Sequence, residues 1–412
     1  QSGGNNNVFI GRDAGGAVTT GDNNIAIGED SLKTATTSSN NIGIGFNALE
    51  ATTSGDRNVA IGVDALLTNT QGARSVAIGY AALDAQDYTT DTDAYNIGIG
   101  YEAGGAITTG IQNTLVGALA GDADTLGSRS TAVGYNALGS QNFTTATNSN
   151  NVAVGYDAGR SITTGTSNVI LGALAGDALT DADSNIAIGV QALGSDVLGS
   201  RSVAIGDGAL LAQNNTTATN SYNNAIGYQA GVSVTTGTNN NIHGGLAGDA
   251  LTTGSFNVAI GTSALSADTT GQSSIAIGHQ ALQNQDNTTS GFVHNVAVGH
   301  KAGNSITSGD LNTLVGGLVG DALTSGNNNT AMGYVALSTD TLGDRAVAIG
   351  YGALQNQNFT TTTDNYNIAV GYNAGNDITT GIHNTLVGGL AGDALTDADS
   401  NVAIGVSALG AD

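Results

Sequence analysis

The 412-residue sequence contains no cysteine, no proline and no tryptophan, and only 10% of its residues are charged. Without cysteine, the chain can form neither disulfide bonds nor thiolate metal sites. It has no apolar run long enough to span a bilayer, so membrane insertion is not expected. Low charge and missing proline also argue against disorder, because disordered chains are usually rich in charged residues or in proline.

Basic residues are scarce as well. Nine Lys and Arg stand against 33 Asp and Glu, which gives a formal net charge of −24. An acidic surface repels phosphate backbones and anionic headgroups, so nucleic acid and membrane surfaces are not expected partners. What the chain has in quantity is 63 Gly, together with Asn, Thr, Ser and Ala, and 40% hydrophobic residues. A regular structure must therefore bury many small apolar side chains.

A motif of the form Asn-Val/Ile-Ala-Ile/Val-Gly recurs along the chain and predicts its fold. Its glycine occurs 23 times, from Gly11 to Gly405, at spacings of 17 residues except for five of 21. From about residue 155 the coils form a 72-residue superrepeat of four. The period-two alternation in Val59–Ile61 indicates a β-strand rather than a helix. We therefore predict an all-β parallel β-solenoid of about 23 coils, continuous over residues 1–412.

Alternation also assigns the two faces of each strand. Val59 and Ile61 share one face, and the small residues Ala60 and Gly62 share the other. We expect the Val/Ile face to fill the coil interior and the small face to lie between chains. The motif glycines predict positive φ or close backbone contact at corners. An internal amide ladder is predicted for the asparagines that precede the strands, including Asn41, Asn58, Asn96, Asn151 and Asn185.

Only about half of each coil is apolar, so one chain alone has a thin core. Three chains around a common axis would bury more apolar surface, which predicts a homotrimer in the form of a left-handed trimeric rod; a monomeric solenoid is the alternative. Neither end of the sequence shows an atypical capping coil. We therefore expect a segment of a longer chain, capped by neighbouring domains or stacked end to end with like modules.

The repeated Asn-Val-Ala-Ile-Gly-x-x-Ala-Leu, as at 58–66, with its Thr-Thr-Gly turns, resembles the head repeats of trimeric autotransporter adhesins. It resembles still more closely related repeats of phage tail fibres, and the resemblance covers essentially the whole chain. It implies a trimeric β-roll that lies outside the cell or virion and serves attachment. The adhesin repeat is shorter than 17 residues, and the 21-residue coils have no counterpart in it.

The 21-residue coils, called long coils below, are the least repetitive, and insertions in solenoids usually form one binding face. A candidate surface-binding ridge is predicted from Tyr88, Tyr95, Phe143, Tyr222, His294, Phe359 and Tyr366. Because aromatic faces stack on sugars, the expected ligand is a host-surface glycan, with a protein receptor as the other candidate. Alternatively, these rings brace the enlarged loops or pack between chains. Tyrosines that directly follow the motif glycine are instead expected to pack at a corner: Tyr80, Tyr101, Tyr135, Tyr156, Tyr228, Tyr334, Tyr351 and Tyr372.

No catalytic residue, cofactor site or metal site is predicted. Asp-x-Asp pairs leave calcium open as an alternative, although the calcium-binding nonapeptide is missing; they are Asp122/Asp124, Asp181/Asp183 and Asp397/Asp399. No Ser-His-Asp set, carboxylate pair or phosphate loop stands out from the repeat, which disfavours an enzyme, including a glycan-cleaving one. Ice binding by Thr-Thr pairs is disfavoured because the pairs occur on only some coils.

The sequence thus favours a non-enzymatic, structural and adhesive extracellular fibre. It would be the shaft of a viral tail fibre or a bacterial surface adhesin that mediates host or surface attachment. The alternative is a self-assembling extracellular filament or sheath with a purely mechanical role.

Overall fold

The structure, a computed structural model, describes residues 4–287 and 291–410. Throughout these residues the regular elements are β-strands, and no helix long and apolar enough to cross a membrane occurs among them. Each motif forms a three-residue main strand just before its glycine. The 23 main strands are Val8–Ile10, Ile25–Ile27, Ile42–Ile44, Val59–Ile61, Val76–Ile78, Ile97–Ile99, Thr114–Val116, Thr131–Val133, Val152–Val154, Val169–Leu171, Ile186–Ile188, Val203–Ile205, Asn224–Ile226, Asn241–His243, Val258–Ile260, Ile275–Ile277, Val296–Val298, Thr313–Val315, Thr330–Met332, Val347–Ile349, Ile368–Val370, Thr385–Val387 and Val402–Ile404.

Residues 1–202 with 214–219 form one compact unit, and residues 203–213 with 220–412 form a second. Within each unit, successive main strands pair in parallel, and each residue faces its equivalent one coil further on. In the first unit Val59–Ile61 pairs with Val76–Ile78, and in the second Val258–Ile260 pairs with Ile275–Ile277. The predicted all-β parallel solenoid of about 23 coils is confirmed.

Short two-residue strands accompany the long coils, one within each long coil and one in the coil before it. These are Gly72–Ala73, Thr92–Asp93, Gly127–Ser128, Thr147–Asn148, Gly199–Ser200, Thr219–Asn220, Gly343–Asp344 and Thr363–Asp364. Thr92–Asp93, for example, pairs in parallel with Gly72–Ala73 of the coil before. In the long coil after Gly278, a single parallel β-bridge between Gln272 and Phe292 replaces the pair of short strands. The inserted residues therefore fold back along the preceding coil.

The faces of the main strands are the reverse of the expected ones. The central residue, such as Ala60, is fully buried, whereas Val59 is half-buried and Ile61 is 36% exposed. The expectation that Val and Ile fill the coil interior was wrong. A leucine from the corner of the preceding coil already occupies the interior: a Cβ added at Gly98, a strand centre, would lie 2.8 Å from Leu83 Cγ. Only a small residue fits opposite that leucine, so the branched residues face outward.

The fourth position after the motif glycine carries Leu or Gly, and its φ is positive in all 23 coils, for example 51° at Leu66 and 64° at Gly104. Where Gly stands there, a neighbouring side chain fills the space. A Cβ at Gly104 would lie 2.6 Å from Leu115 Cδ1 and 3.2 Å from Ile107 Cδ1. The closely packed interior has no room for a leucine at this position together with the side chains of Leu115 and Ile107. Core volume therefore explains the Leu and Gly pattern of the superrepeat.

The asparagines before the strands form the predicted ladder. Asn58 donates from its backbone N to Asn41 Oδ1 at 2.8 Å and from Nδ2 to Gly72 O at 2.8 Å. Asn96, Asn151 and Asn185 are fully buried in the same way and also donate to the carbonyl oxygen 14 residues on. The amide ladder is confirmed, and it satisfies backbone groups that a narrow interior would leave unpaired.

The motif glycines meet both conditions expected of them. Gly62 has φ of +143°, and a Cβ there would lie 2.2 Å from the carbonyl oxygen of Gly79 in the next coil. No other residue combines that conformation with so close an approach. The corner therefore requires glycine.

Candidate functional site

Three members of the predicted surface ridge lie inside the long coils. Tyr88 and Phe143 are 4% exposed and Phe359 is 5% exposed, so their predicted place on the surface was wrong. The reason is the fold-back of the inserted residues, which turns the ninth residue after the motif glycine inward. The Tyr88 hydroxyl donates to Gly110 O at 2.7 Å, and burial raises the pKa of Tyr88. These rings brace the loops, which was the alternative interpretation.

The other four ridge residues are on the surface. Tyr95, Tyr222 and Tyr366 are about half exposed, and His294 is exposed. Tyr95 lies against Arg74, whose guanidinium carbon is 5.4 Å from the ring centroid. The same guanidinium pairs with the carboxylate of Asp93, one coil further on. One face of the Tyr95 ring is therefore covered by the protein itself.

Tyr366 is enclosed in a similar way. Arg345 lies 5.5 Å from its centroid, and the ring of His383 stacks on it with centroids 5.7 Å apart. His294 stacks on Phe292 at 5.5 Å. Tyr95, Tyr366 and His294 thus each have stacking surface already covered by neighbouring side chains of the same chain.

A buried polar chain lies beneath the long coils. Asp268 accepts hydrogen bonds from Gly271 N at 2.9 Å and from Gln285 Nε2 at 2.5 Å, and Gln285 Oε1 accepts from Asn295 Nδ2 at 2.9 Å. Burial raises the pKa of Asp268, and its partners are amides rather than cations. Asp124 and Asp340 stand in equivalent chains, also with raised pKa. Asp followed 17 residues later by Gln was the sequence signal that could have revealed this feature.

The tyrosines that follow the motif glycine form stacked ladders. Tyr80 and Tyr101 have centroids 5.3 Å apart at an interplanar angle of 12°, and Tyr135 and Tyr156 have centroids 5.6 Å apart at 13°. Each ring is about half exposed. Stacking follows from parallel in-register pairing, which sets equivalent side chains one strand spacing apart. The repeat predicted a corner position for these tyrosines but not the stacks between them.

An acidic groove of about 380 Å³ runs beside the first stack. Tyr80 lines it together with the carboxylates of Asp64, Asp84, Glu102 and Asp122. Burial raises the pKa of Asp84 and of Asp122, and Glu102 adds to both shifts by like-charge repulsion. Buried Asp122 Oδ1 accepts no hydrogen bond from the described part of the chain. The groove thus offers hydrogen-bond acceptors next to aromatic rings.

The Asp-x-Asp pairs do not converge on a cation site. Asp122 lines the groove, whereas Asp124 points into the core and accepts from Gly127 N at 3.0 Å. Asp183 accepts from the backbone N and the hydroxyl of Thr166. Within residues 4–287 and 291–410, no group of three or more His, Asp or Glu side chains is arranged to hold a metal ion. Asp124 and Asp183 therefore serve as acceptors for backbone amides of the turns.

The surface of the chain thus carries three kinds of side chain: the outward Val and Ile of the main strands, the stacked tyrosines and the carboxylates that line the acidic groove. A scan against protein-family models and a search of curated proteins gave no match to the chain.

Proposed function

We propose that the chain is a structural and adhesive element of an extracellular fibre, as in a viral tail fibre or a bacterial surface adhesin, and that it associates with copies of itself. The observation that carries the proposal is the outward apolar face of the main strands. Ile61, Val154, Ile226 and Val387 are 36 to 37% exposed. Within each unit, apolar equivalents on most neighbouring coils continue these columns, with His243 beside Ile226 as an exception. A lone chain therefore keeps apolar columns of side chains in water.

Burial of that surface would stabilise an assembly. Each branched side chain that passes from half-exposed to buried contributes on the order of 1 kcal/mol, and the columns repeat in coil after coil. Exposed apolar patches of this kind commonly mark interaction sites. The contact between chains would thus use Val and Ile, not the Ala and Gly face expected from the sequence.

Three chains are the favoured number. A cyclic arrangement closes the apolar columns around one axis and leaves no copy of the face in water. It also agrees with the resemblance of the Asn-Val-Ala-Ile-Gly repeat to trimeric adhesin heads. Attachment to a host glycan or protein would then fall to the outer features, namely the long coils and the tyrosine ladders. The acidic charge of −24 makes nucleic acid and anionic membrane poor partners.

Native mass tests the proposal. Light scattering coupled to size exclusion should give three times the chain mass for the wild-type protein. Ile61→Lys combined with Val154→Lys should give a smaller, folded species, because a buried lysine on the common axis is costly.

Thr145→Lys is the matched control. Thr145 is exposed on the loop of a long coil, so its replacement should leave the mass unchanged. A wild-type monomer would refute self-association. Long end-to-end polymers would instead favour the purely mechanical filament.

A further inference from the structure

The tyrosine ladder of the first unit is interrupted at Ala118. Leu119 N donates to Tyr101 O at 2.9 Å and Asn136 N donates to Ala118 O at 3.0 Å. Tyr101, Ala118 and Tyr135 therefore hold equivalent places in three successive coils. A stacked tyrosine pair stands on either side, and the ladder lacks one ring at the alanine.

The interruption has the dimensions of one ring. Parallel strands lie about 4.8 Å apart, so Tyr101 and Tyr135 are separated by roughly 9.6 Å along the ladder. A ring centred between them would lie about 5 Å from each, inside the 4.5–7 Å range of stacked rings. Ala118 is half-buried and offers only a methyl group as the floor. We call this space the Ala118 slot.

Two carboxylates near the slot indicate what kind of ring it takes. Glu102 directly follows Tyr101 and its carboxylate contacts the Tyr101 hydroxyl. Asp122 belongs to the same coil as Ala118, and with Glu102 it lines the neighbouring acidic groove. Ionised carboxylates can only accept hydrogen bonds, so a matching ligand donates them. A pyranose ring has apolar C–H faces for the two tyrosines and hydroxyl donors along its rim. An anionic sugar would be repelled by these carboxylates.

We propose that the Ala118 slot binds one uncharged pyranose ring of a glycan, stacked between Tyr101 and Tyr135, with ring hydroxyls donating to Glu102 and Asp122. The inference rests on the attachment role proposed above and assigns it a ligand class and a place. None of its three ladder residues is among the long-coil residues expected to bind glycans, although Tyr135 directly follows the glycine that opens a long coil.

A second interruption differs from the first. Gly317 stands between His300 and Tyr334, and a Cβ there would lie 3.3 Å from Tyr334 Cδ2. The Tyr334 ring is also tilted by 25° against Tyr351. This ring leans over the glycine and takes up part of the space. The assignment is therefore limited to the Ala118 slot.

Saturation-transfer NMR on the full chain tests the inference, with methyl β-glucopyranoside, methyl β-galactopyranoside and methyl N-acetyl-β-glucosaminide as probes. At least one neutral glycoside should bind, and Ala118→Tyr should weaken its binding tenfold or more, because the new ring occupies the slot. Ala173→Tyr is the matched control. Ala173 holds the same place between Tyr156 and Val190, so this variant adds a ring without closing a slot.

Tyr135→Val removes one aromatic wall of the slot and should weaken glycoside binding about as much as Ala118→Tyr does. This second variant keeps the test valid if Ala118→Tyr misfolds. Binding of none of the three glycosides would overturn the inference, as would binding that both variants leave unchanged. Binding of p-cresol without any glycoside would overturn it too, because the slot would then select aromatic rings. Native mass measured on the same samples separates the two proposals: an intact assembly that binds no glycoside refutes only the slot.

Discussion

Left-handed backbone conformations recur at fixed places in each coil. Arg57, Asp64 and Leu66 within one repeat all have φ between 51 and 59°. Such conformations are unusual for side-chain-bearing residues and cost on the order of 1 kcal/mol each. They persist because neighbouring coils hold the backbone on both sides: Leu66 N, for instance, donates to Ala82 O at 3.1 Å. Single residues in this fold thus depend on coils before and after them.

Gly62→Ala should lower the free energy of unfolding by about 3 kcal/mol or more. It combines strain at φ +143° with a contact of 2.2 Å to the next coil. Gly245→Ala is the control, because its backbone has ordinary φ and a Cβ there meets nothing within 4 Å. Chemical denaturation of both variants measures the difference. Equal loss of stability in the two would contradict the close-approach argument.

The buried carboxylates predict that acid stabilises the fold. The pKa values of Asp124, Asp268 and Asp340 are raised by burial, so the folded protein binds their protons more tightly than the unfolded chain does. Their contribution is then fully favourable below the unfolded pKa and is lost as pH rises through the folded pKa. The thermal midpoint should increase as pH is lowered from 7 towards 4.5.

Asp268→Asn isolates one of these groups. Asn69 occupies the equivalent place in the first unit, where Gly72 N donates to its Oδ1 at 3.1 Å, so an amide fits this position. The variant should raise the midpoint at pH 7 by about 2 °C or more and flatten the pH dependence. A wild-type midpoint that falls steadily with acid, or a variant less stable at neutral pH, would show that the carboxylate is favourable as an ion.

At the scale of elements, three of the five long coils are closed by a buried aromatic ring, namely Tyr88, Phe143 or Phe359. Phe143→Ala should cost about 3–5 kcal/mol, because the ring is buried and the loop above it cannot easily collapse. Tyr95→Ala, half-exposed in another long coil, should cost within about 1 kcal/mol. Thermal and chemical unfolding of the two variants provides the comparison. A small effect of Phe143→Ala would mean that the loop is held by its backbone alone.

Strands, repeat length and the amide ladder could be predicted from the sequence, because they follow from local periodicity. The period of two in Val59–Ile61 identifies a strand whichever side faces inward. Which side is buried depends on how narrow the coil is, and that is set by Leu66 and its equivalents across the interior. Tyr88 could not be assigned to the interior because the direction of its side chain depends on how the inserted loop folds back, which is also a tertiary feature. Predicting the tyrosine stacks requires the register between neighbouring strands. The repeat spacing gives that register only once a parallel solenoid is assumed.

At the scale of the whole molecule, strong acidity opposes the proposed apolar association. Copies that each carry −24 charges repel one another at low ionic strength, and salt screens that repulsion over about 10 Å at 0.1 M. The assembly should therefore be more stable against dissociation in 0.5 M than in 0.02 M sodium chloride. Native mass during dilution at the two salt concentrations measures this. Dissociation promoted by salt would instead indicate contacts made by ion pairs.

The pattern of Leu and Gly in the core also constrains how such a gene can change length. From about residue 155 onward, an unequal crossover displaced by 72 residues joins each coil to a neighbour of the kind it already has, so every contact across the junction exists elsewhere in the chain. A crossover that puts leucine where Gly104 now stands would instead set it against Leu115, because even a Cβ there lies 2.6 Å from Leu115 Cδ1. Selection for folding would remove that junction. In the region after residue 155, changes of four coils are therefore the ones that keep every core contact.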